Sequence, residues 1–142
     1  AILSNQENKV KDALEFYGKN LGLTFQIADD TLDYNSELKI FGKEIGNDFY
    51  EGKITLPIIL LHQKASKDEK YELKEIFKKN ERTEVEFKKI IKLIKKYNII
   101  SDCYKKAEHF INLSANSLSV FENNKEKDIF KNLASFSLER TF

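Results

Sequence analysis

An all-α helical bundle is expected of this chain, on three observations. Apolar residues recur at spacings of three and four along each long segment, the period of one helix face. Two tetrapeptides, Ser66-Lys67-Asp68-Glu69 and Thr83-Glu84-Val85-Glu86, have the form of a capping box, in which hydroxyl and carboxylate satisfy each other's backbone N–H groups at a helix start. No strand-like alternation, glycine-rich dinucleotide motif or internal repeat appears.

Residues 6 to 34 read as one long helix with Val10, Leu14, Tyr17, Leu21, Phe25, Ala28 and Leu32 on its apolar stripe. Gly18 and Gly22 interrupt it, each costing about 1 kcal/mol against alanine; two small residues one turn apart are expected to let a neighbouring helix come close. Residues 35 to 54 read as loop. Thr55 is the expected N-cap of a short helix with Pro57 in its first turn, where a missing N–H does no harm. Ile58, Ile59, Leu60 and Leu61 follow without a polar break, so that helix should be buried nearly all round. His62 has no second histidine or cysteine at ligand spacing and reads as a structural or surface residue. The next helix should run from Ser66 to Lys79. Thr83 opens another, with Phe87, Ile90, Ile91, Ile94 and Tyr97 on one face. Its Lys88, Lys89, Lys92, Lys95 and Lys96 read as a solvated face, because no aromatics interleave with them. Ser101 or Asp102 starts a helix bearing Ala107, Phe110, Ile111, Ala115 and Leu118, ending near Asn123-Asn124; His109 on it reads as structural. A last helix over 126 to 139 should bury Ile129, Phe130, Leu133 and Phe136.

Bulk properties narrow the class. The 142 residues suffice for one domain or part of one, and 41% hydrophobic with 12% aromatic residues is ordinary for a globular protein. A net charge of +1 gives no reason to invoke nucleic acid or an anionic membrane. The single cysteine, Cys103, cannot close an internal disulfide, which fits a reducing compartment. No apolar run approaches the roughly 18 residues of a transmembrane helix and no signal pattern opens the chain, so a cytoplasmic location is expected. There is no methionine, and Ala1-Ile2-Leu3-Ser4 reads as the tail of an apolar helix. The expectation is the C-terminal part of a longer protein, or one half of a split one.

The chemistry concentrates in Phe25-Gln26-Ile27-Ala28-Asp29-Asp30-Thr31-Leu32-Asp33-Tyr34. On a helix, Asp29 and Asp33 stand one turn apart with Asp30 beside them and Gln26 one turn earlier. Three carboxylates would then point at one small volume, with nothing cationic between Gln26 and Glu37 to relieve them. Oxygen-only ligands favour Mg²⁺, which takes a few carboxylates and leaves its other positions to water and phosphate. A calcium loop is excluded, since the EF-hand spacing and its central glycine are missing. Downstream, Gly42-Lys43-Glu44-Ile45-Gly46-Asn47-Asp48-Phe49-Tyr50-Glu51-Gly52-Lys53-Ile54-Thr55-Leu56-Pro57 supplies glycines for close approach to a ligand and lysines to put ammonium groups on it.

At these residues the chain resembles the trans-type polyprenyl diphosphate synthases, which elongate isoprenoid chains. Phe25-Gln26-x-x-Asp29-Asp30-x-x-Asp33 is similar to that family's second aspartate-rich motif, and Gly42 to Pro57 to the segment that follows it. Tyr17-Gly18-x-x-Leu21-Gly22 and Ala134 to Arg140 extend the resemblance over essentially the whole chain. The resemblance implies the C-terminal portion of the isoprenoid synthase fold, with residues 1–142 forming part of a single synthase domain whose upstream half is absent. It implies Mg²⁺ held principally by Asp29, with Asp30 and Asp33 contributing directly or through water. Gln26 and Lys43, and less firmly Lys53, would contact the diphosphate of an allylic substrate, with isopentenyl diphosphate as the second substrate. Asp48 and Glu51 have an alternative role as loop-fixing residues. Asn47 departs from the acidic pair many members carry there, and Arg140 is assigned no role beyond a phosphate or C-terminal contact.

The family's first aspartate-rich motif and its basic residues for isopentenyl diphosphate have no counterpart here. The expectation is a chain inactive alone, completed by the missing half, with a homodimer in the full-length protein. Similarity to the long-chain, octaprenyl-like members implies a quinone side-chain precursor as product. A reading from another class keeps the fold and drops the catalysis: a non-catalytic helical partner subunit or remnant of a split synthase, binding through apolar surface meant for the missing helices.

Overall fold

The computed structural model describes residues 7–35 and 45–139, the side chains of 137–139 excepted. Ala1-Ile2-Leu3-Ser4, Gly42, Lys43 and Arg140 therefore lie outside the described residues. The elements are α1 (Asn8–Leu32), α2 (Asn47–Glu51), α3 (Leu56–Lys64), α4 (Lys67–Phe77), α5 (Glu84–Lys96), α6 (Ile99–Ser117), a 3₁₀ turn Leu118–Val120 and α7 (Lys125–Glu139). No strand occurs among the described residues, and no described helix is long and apolar enough to cross a membrane.

The chain divides into two compact units, residues 1–28 with 105–142 and residues 29–104. In the first, Tyr17, Ile111, Leu118 and Ala134 form the core, with Leu14, Leu21 and Phe121 packed against it. Polar groups buried there are satisfied by backbone rather than by one another. The Thr24 hydroxyl donates to the Asn20 carbonyl at 3.0 Å, the Ser114 hydroxyl to the Tyr17 carbonyl at 3.0 Å, and the Tyr17 hydroxyl to the Phe130 carbonyl at 2.7 Å. Two expectations fail in this unit. Among the described residues a Cβ on Gly18 or Gly22 would meet nothing within 4 Å, so no described helix makes the expected close approach at either glycine. Among the described side chains of α7 the buried one is Ala134, while Ile129 is 64%, Phe130 43%, Leu133 48% and Phe136 56% exposed. Phe25 on α1 is half exposed, while Tyr17 and Ala28 of the expected stripe are buried together with Asn20, Thr24 and Ile27, which the stripe did not include.

In the second unit α4 and α5 are tied at both ends by their capping glutamates. Glu69 completes the Ser66 box, accepting from the Ser66 N–H at 2.9 Å, and also accepts from Lys96 Nζ at 2.8 Å and the Tyr97 hydroxyl at 2.6 Å at the far end of α5. Glu86 completes the Thr83 box, accepting from the Thr83 N–H at 2.8 Å, and pairs with Lys79 just past the end of α4. Each helix start thus holds the other's finish. On α3, Pro57, Ile58, Leu60 and Leu61 are buried but Ile59 is 43% exposed, so one side of that helix remains uncovered. Thr55 occupies the N-cap position with extended backbone yet makes no side-chain cap bond. The loop expected over 35 to 54 contains the one-turn helix α2, which no apolar period announces.

Candidate functional site

The last turn of α1 carries the motif. Its hydrogen bonds tighten toward the i→i+3 pattern, with the Tyr34 N–H on the Thr31 carbonyl at 3.2 Å and the Asn35 N–H on the Leu32 carbonyl at 3.1 Å. Gln26 and Asp29 are exposed on this helix, whereas Asp30 is buried and Asp33 and Tyr34 are more deeply so.

Asp33 turns onto the chain that returns thirteen residues later. Its Oδ1 accepts from the Gly46 and Asn47 N–H groups, each at 3.2 Å, and its Oδ2 accepts from the Asp48 N–H at 2.9 Å. These donors belong to the first turn of α2, where backbone N–H groups have no helical partner and a negative charge is favoured by the helix dipole. Gly46 occupies the N-cap at φ 94, so it has no side chain of its own to do this. Burial raises the Asp33 carboxyl above its ordinary value; the Asp48 hydrogen bond opposes that rise and the Asp48 charge adds to it. The neighbouring Tyr34 hydroxyl is raised as well, first by burial and then by the charges of Asp33, Asp48 and Asp30.

The far end of α2 closes on Gly52 at φ 78. The Gly52 N–H returns to the Phe49 carbonyl at 3.0 Å and the Lys53 N–H to the Asp48 carbonyl at 2.9 Å, the two bonds of a Schellman motif. Arg82, from the connection between α4 and α5, donates from Nη1 to the Tyr50 carbonyl at 3.1 Å and from Nη2 to the Lys79 carbonyl at 3.0 Å and the Phe77 carbonyl at 3.4 Å. Its guanidinium lies 5.5 Å from the centre of the Phe77 ring. Beneath α2, Phe49 is 0% exposed, edge-on to Phe77 at 5.7 Å and tilted against Phe87 at 5.3 Å. Lys53 Nζ bridges Asp48 at 3.1 Å and Glu51 at 2.7 Å. Both contacts, that of Glu51 foremost, raise its pKa above the ordinary lysine range.

The three aspartates are therefore not spent alike. Among the described residues no three His, Cys, Asp or Glu side chains form a group that could hold a metal ion. Asp33, expected as the third ligand, accepts from three backbone amides through its two oxygens. Asp29 and Asp30 remain adjacent, Asp48 and Glu51 hold Lys53 rather than the loop backbone, and Lys43 lies outside the described residues. Sequence reasoning missed Arg82, whose only visible sign was being one of two arginines in a lysine-rich chain.

Comparison with known proteins sets this arrangement in a class. The polyprenyl synthase of Caulobacter crescentus CB15, solved in complex with calcium and isoprenyl diphosphate, aligns over 100% of this chain and 43% of its own, with a TM-score of 0.87 and 31% identity. The octaprenyl pyrophosphate synthase of Helicobacter pylori aligns over 99% of this chain and 43% of its own, with a TM-score of 0.81 and 31% identity. The fold is thus the all-α fold of the isoprenoid synthases. A short chain isoprenyl diphosphate synthase of Methanothermobacter thermautotrophicus is 31% identical over 140 residues, 99% of this chain and 42% of that protein. Residues 1–94 match the polyprenyl synthetase family, and the chain belongs to it. It spans about two fifths of the length of these relatives.

Proposed function

We propose that this chain supplies one metal-binding carboxylate pair and part of a diphosphate site to a prenyltransferase that extends an allylic diphosphate with isopentenyl diphosphate. The observation that carries the reading is the occurrence together, in a member of this family, of Asp29-Asp30 at the end of α1 and the segment Gly46–Lys53, tied to Asp33 through its amides and bearing a lysine held by Asp48 and Glu51.

The donor set suits Mg²⁺. Asp29 and Asp30 offer only hard oxygen ligands, and this ion commonly takes one or two carboxylates and completes its shell with water and substrate phosphate. Asp29 would hold it and Asp30 would support it, so the departure of Asp33 to the backbone leaves a sufficient pair. When bound, the metal neutralises charge gathering on the departing diphosphate. In the reaction the allylic carbon–oxygen bond breaks, isopentenyl diphosphate adds at that carbon, and a proton is lost. Gln26 and Lys43 bind the allylic diphosphate, and Lys53 places a further ammonium near it; a lysine acts there as a point charge. Long-chain product of the octaprenyl kind is the finer reading, by resemblance.

The exposed apolar side chains of α7 (Ile129, Leu133, Phe136) support completion of the site by further polypeptide, either the rest of a synthase or a second copy. They equally suit a non-catalytic partner subunit, and one experiment separates the two. The purified chain is incubated with radiolabelled isopentenyl diphosphate, an allylic diphosphate and Mg²⁺, with and without the upstream half of a related synthase. Prenyl transfer on adding that half, abolished by Asp29→Ala while association persists, is expected. Association without transfer would leave only the partner-subunit reading, and transfer by the chain alone would show that the upstream half is dispensable.

A further inference from the structure

We propose that Asp33 and Arg82 are positioning residues that hold the Asn47–Glu51 helix from its two ends and thereby place Asp48 and Lys53, with Asp33 not itself a metal ligand. The proposal rests on the reading of Asp29, Asp30 and Lys53 given above and assigns what holds them in register.

Three relationships support it. First, α2 has five residues, far short of the length at which a helix is stable alone in water. Second, its ends are completed from outside by complementary charges. The Asp33 carboxylate accepts all three N–H groups of residues 46 to 48, and the Arg82 guanidinium donates to the Tyr50 carbonyl in the last turn. Anion at the N-terminus and cation at the C-terminus both oppose the helix dipole. Third, the glycines at both ends have left-handed backbone and also lie close against partners. A Cβ on Gly46 would lie 2.8 Å from the Phe87 ring, and one on Gly52 would lie 2.2 Å from Arg82 Nη2. With both ends fixed, Asp48 and Glu51 are held where they grip the Lys53 ammonium. Three of the roughly four lone-pair positions of the Asp33 carboxylate are taken by these amides, so its main engagement is with the α2 backbone.

Backbone amide hydrogen exchange, Mn²⁺ binding followed by electron paramagnetic resonance, and acylation of Lys53 by an amine reagent are measured on the full chain and its variants. Asp33→Asn and Arg82→Lys keep size and serve as the milder partners of Asp33→Ala and Arg82→Ala. In both Asp33 variants, exchange at residues 46 to 48 should accelerate by about tenfold or more, the scale of a lost charge-assisted hydrogen bond, while Mn²⁺ binding persists. In both Arg82 variants, exchange at Gly52 and Lys53 and acylation of Lys53 should rise, and lysine should not rescue, because an ammonium cannot span the three carbonyls that the guanidinium fork reaches. Loss of Mn²⁺ binding in Asp33→Asn with exchange unchanged would overturn the proposal, as would unchanged exchange and acylation in Arg82→Ala. Asp29→Ala is the separate control. If it leaves Mn²⁺ binding intact, or wild type binds none, the metal assignment of Asp29 fails, while the exchange results still decide the role of Asp33 and Arg82.

Discussion

Arg82 Nη2 stands 2.2 Å from where the Cβ of any larger residue at position 52 would begin. Gly52 also sits at φ 78, a region that costs an L-residue roughly 1 kcal/mol or more. Gly52→Ala must therefore bear backbone strain and also dislodge a guanidinium that serves three carbonyls. The expected loss is about 2–4 kcal/mol, read from the urea midpoint of the purified chain. A loss under about 0.5 kcal/mol would mean that Arg82 does not occupy this position in solution.

Gly18 predicts the opposite sign. It lies inside α1, and no described residue comes within 4 Å of where its Cβ would be. Gly18→Ala should stabilise the isolated chain by about 0.5–1 kcal/mol through helix propensity alone. Destabilisation in the same urea titration would reveal a close neighbour at this face.

Acid should weaken the α4–α5 pair in a defined window. Lys96, then Tyr97 and the Ser66 N–H hold Glu69 down to about 2, and Lys79 with Thr83 holds Glu86 down to about 2, against an ordinary value of 4.5. Both are depressed carboxylates, so their contribution is fully present above pH 4.5 and is lost as pH falls toward 2. The melting temperature should drop across that interval, and the drop should shrink in a Glu69→Gln/Glu86→Gln double variant. An equal drop in that variant would place the acid sensitivity elsewhere.

Phe49 and Ile129 should behave as opposites although both are large and apolar. Phe49 is 0% exposed within a cluster of rings, and Phe49→Ala should cost about 3–5 kcal/mol. Ile129 is 64% exposed, and Ile129→Ser should stay within about 0.5 kcal/mol while weakening association with an added upstream half. Thermal melts and a pull-down of the half-chain check the two parts; unaltered association would show that α7 is not the contact.

Helix existence was legible because it rests on local signals. The Ser66 and Thr83 boxes form as their tetrapeptides imply, and α1 ends within two residues of its expected limits. Which face is buried was less legible. The stripe through Phe25 missed the polar residues Asn20 and Thr24, since buried backbone carbonyls satisfied them at no visible cost in pattern. Residues 129 to 136 had the right period for burial, but period reports that a face is apolar and not that something in the same chain covers it. At the site, spacing put Asp33 on the same helix end as Asp29. It could not show that three amides arriving much later in the chain would claim the carboxylate.

That long return has a kinetic meaning. A single helical turn cannot nucleate on its own, and α2 depends on partners from α1 and from the α4–α5 connection that are brought near only after a large loop has closed. It should form after the folding transition state, so that Phe49→Ala speeds unfolding and leaves the folding rate nearly unchanged. The segment bearing Asp48 and Lys53 would then be among the last parts of the chain to be ordered, and charge that could attract wrong partners would be displayed in its final geometry only on a nearly finished fold.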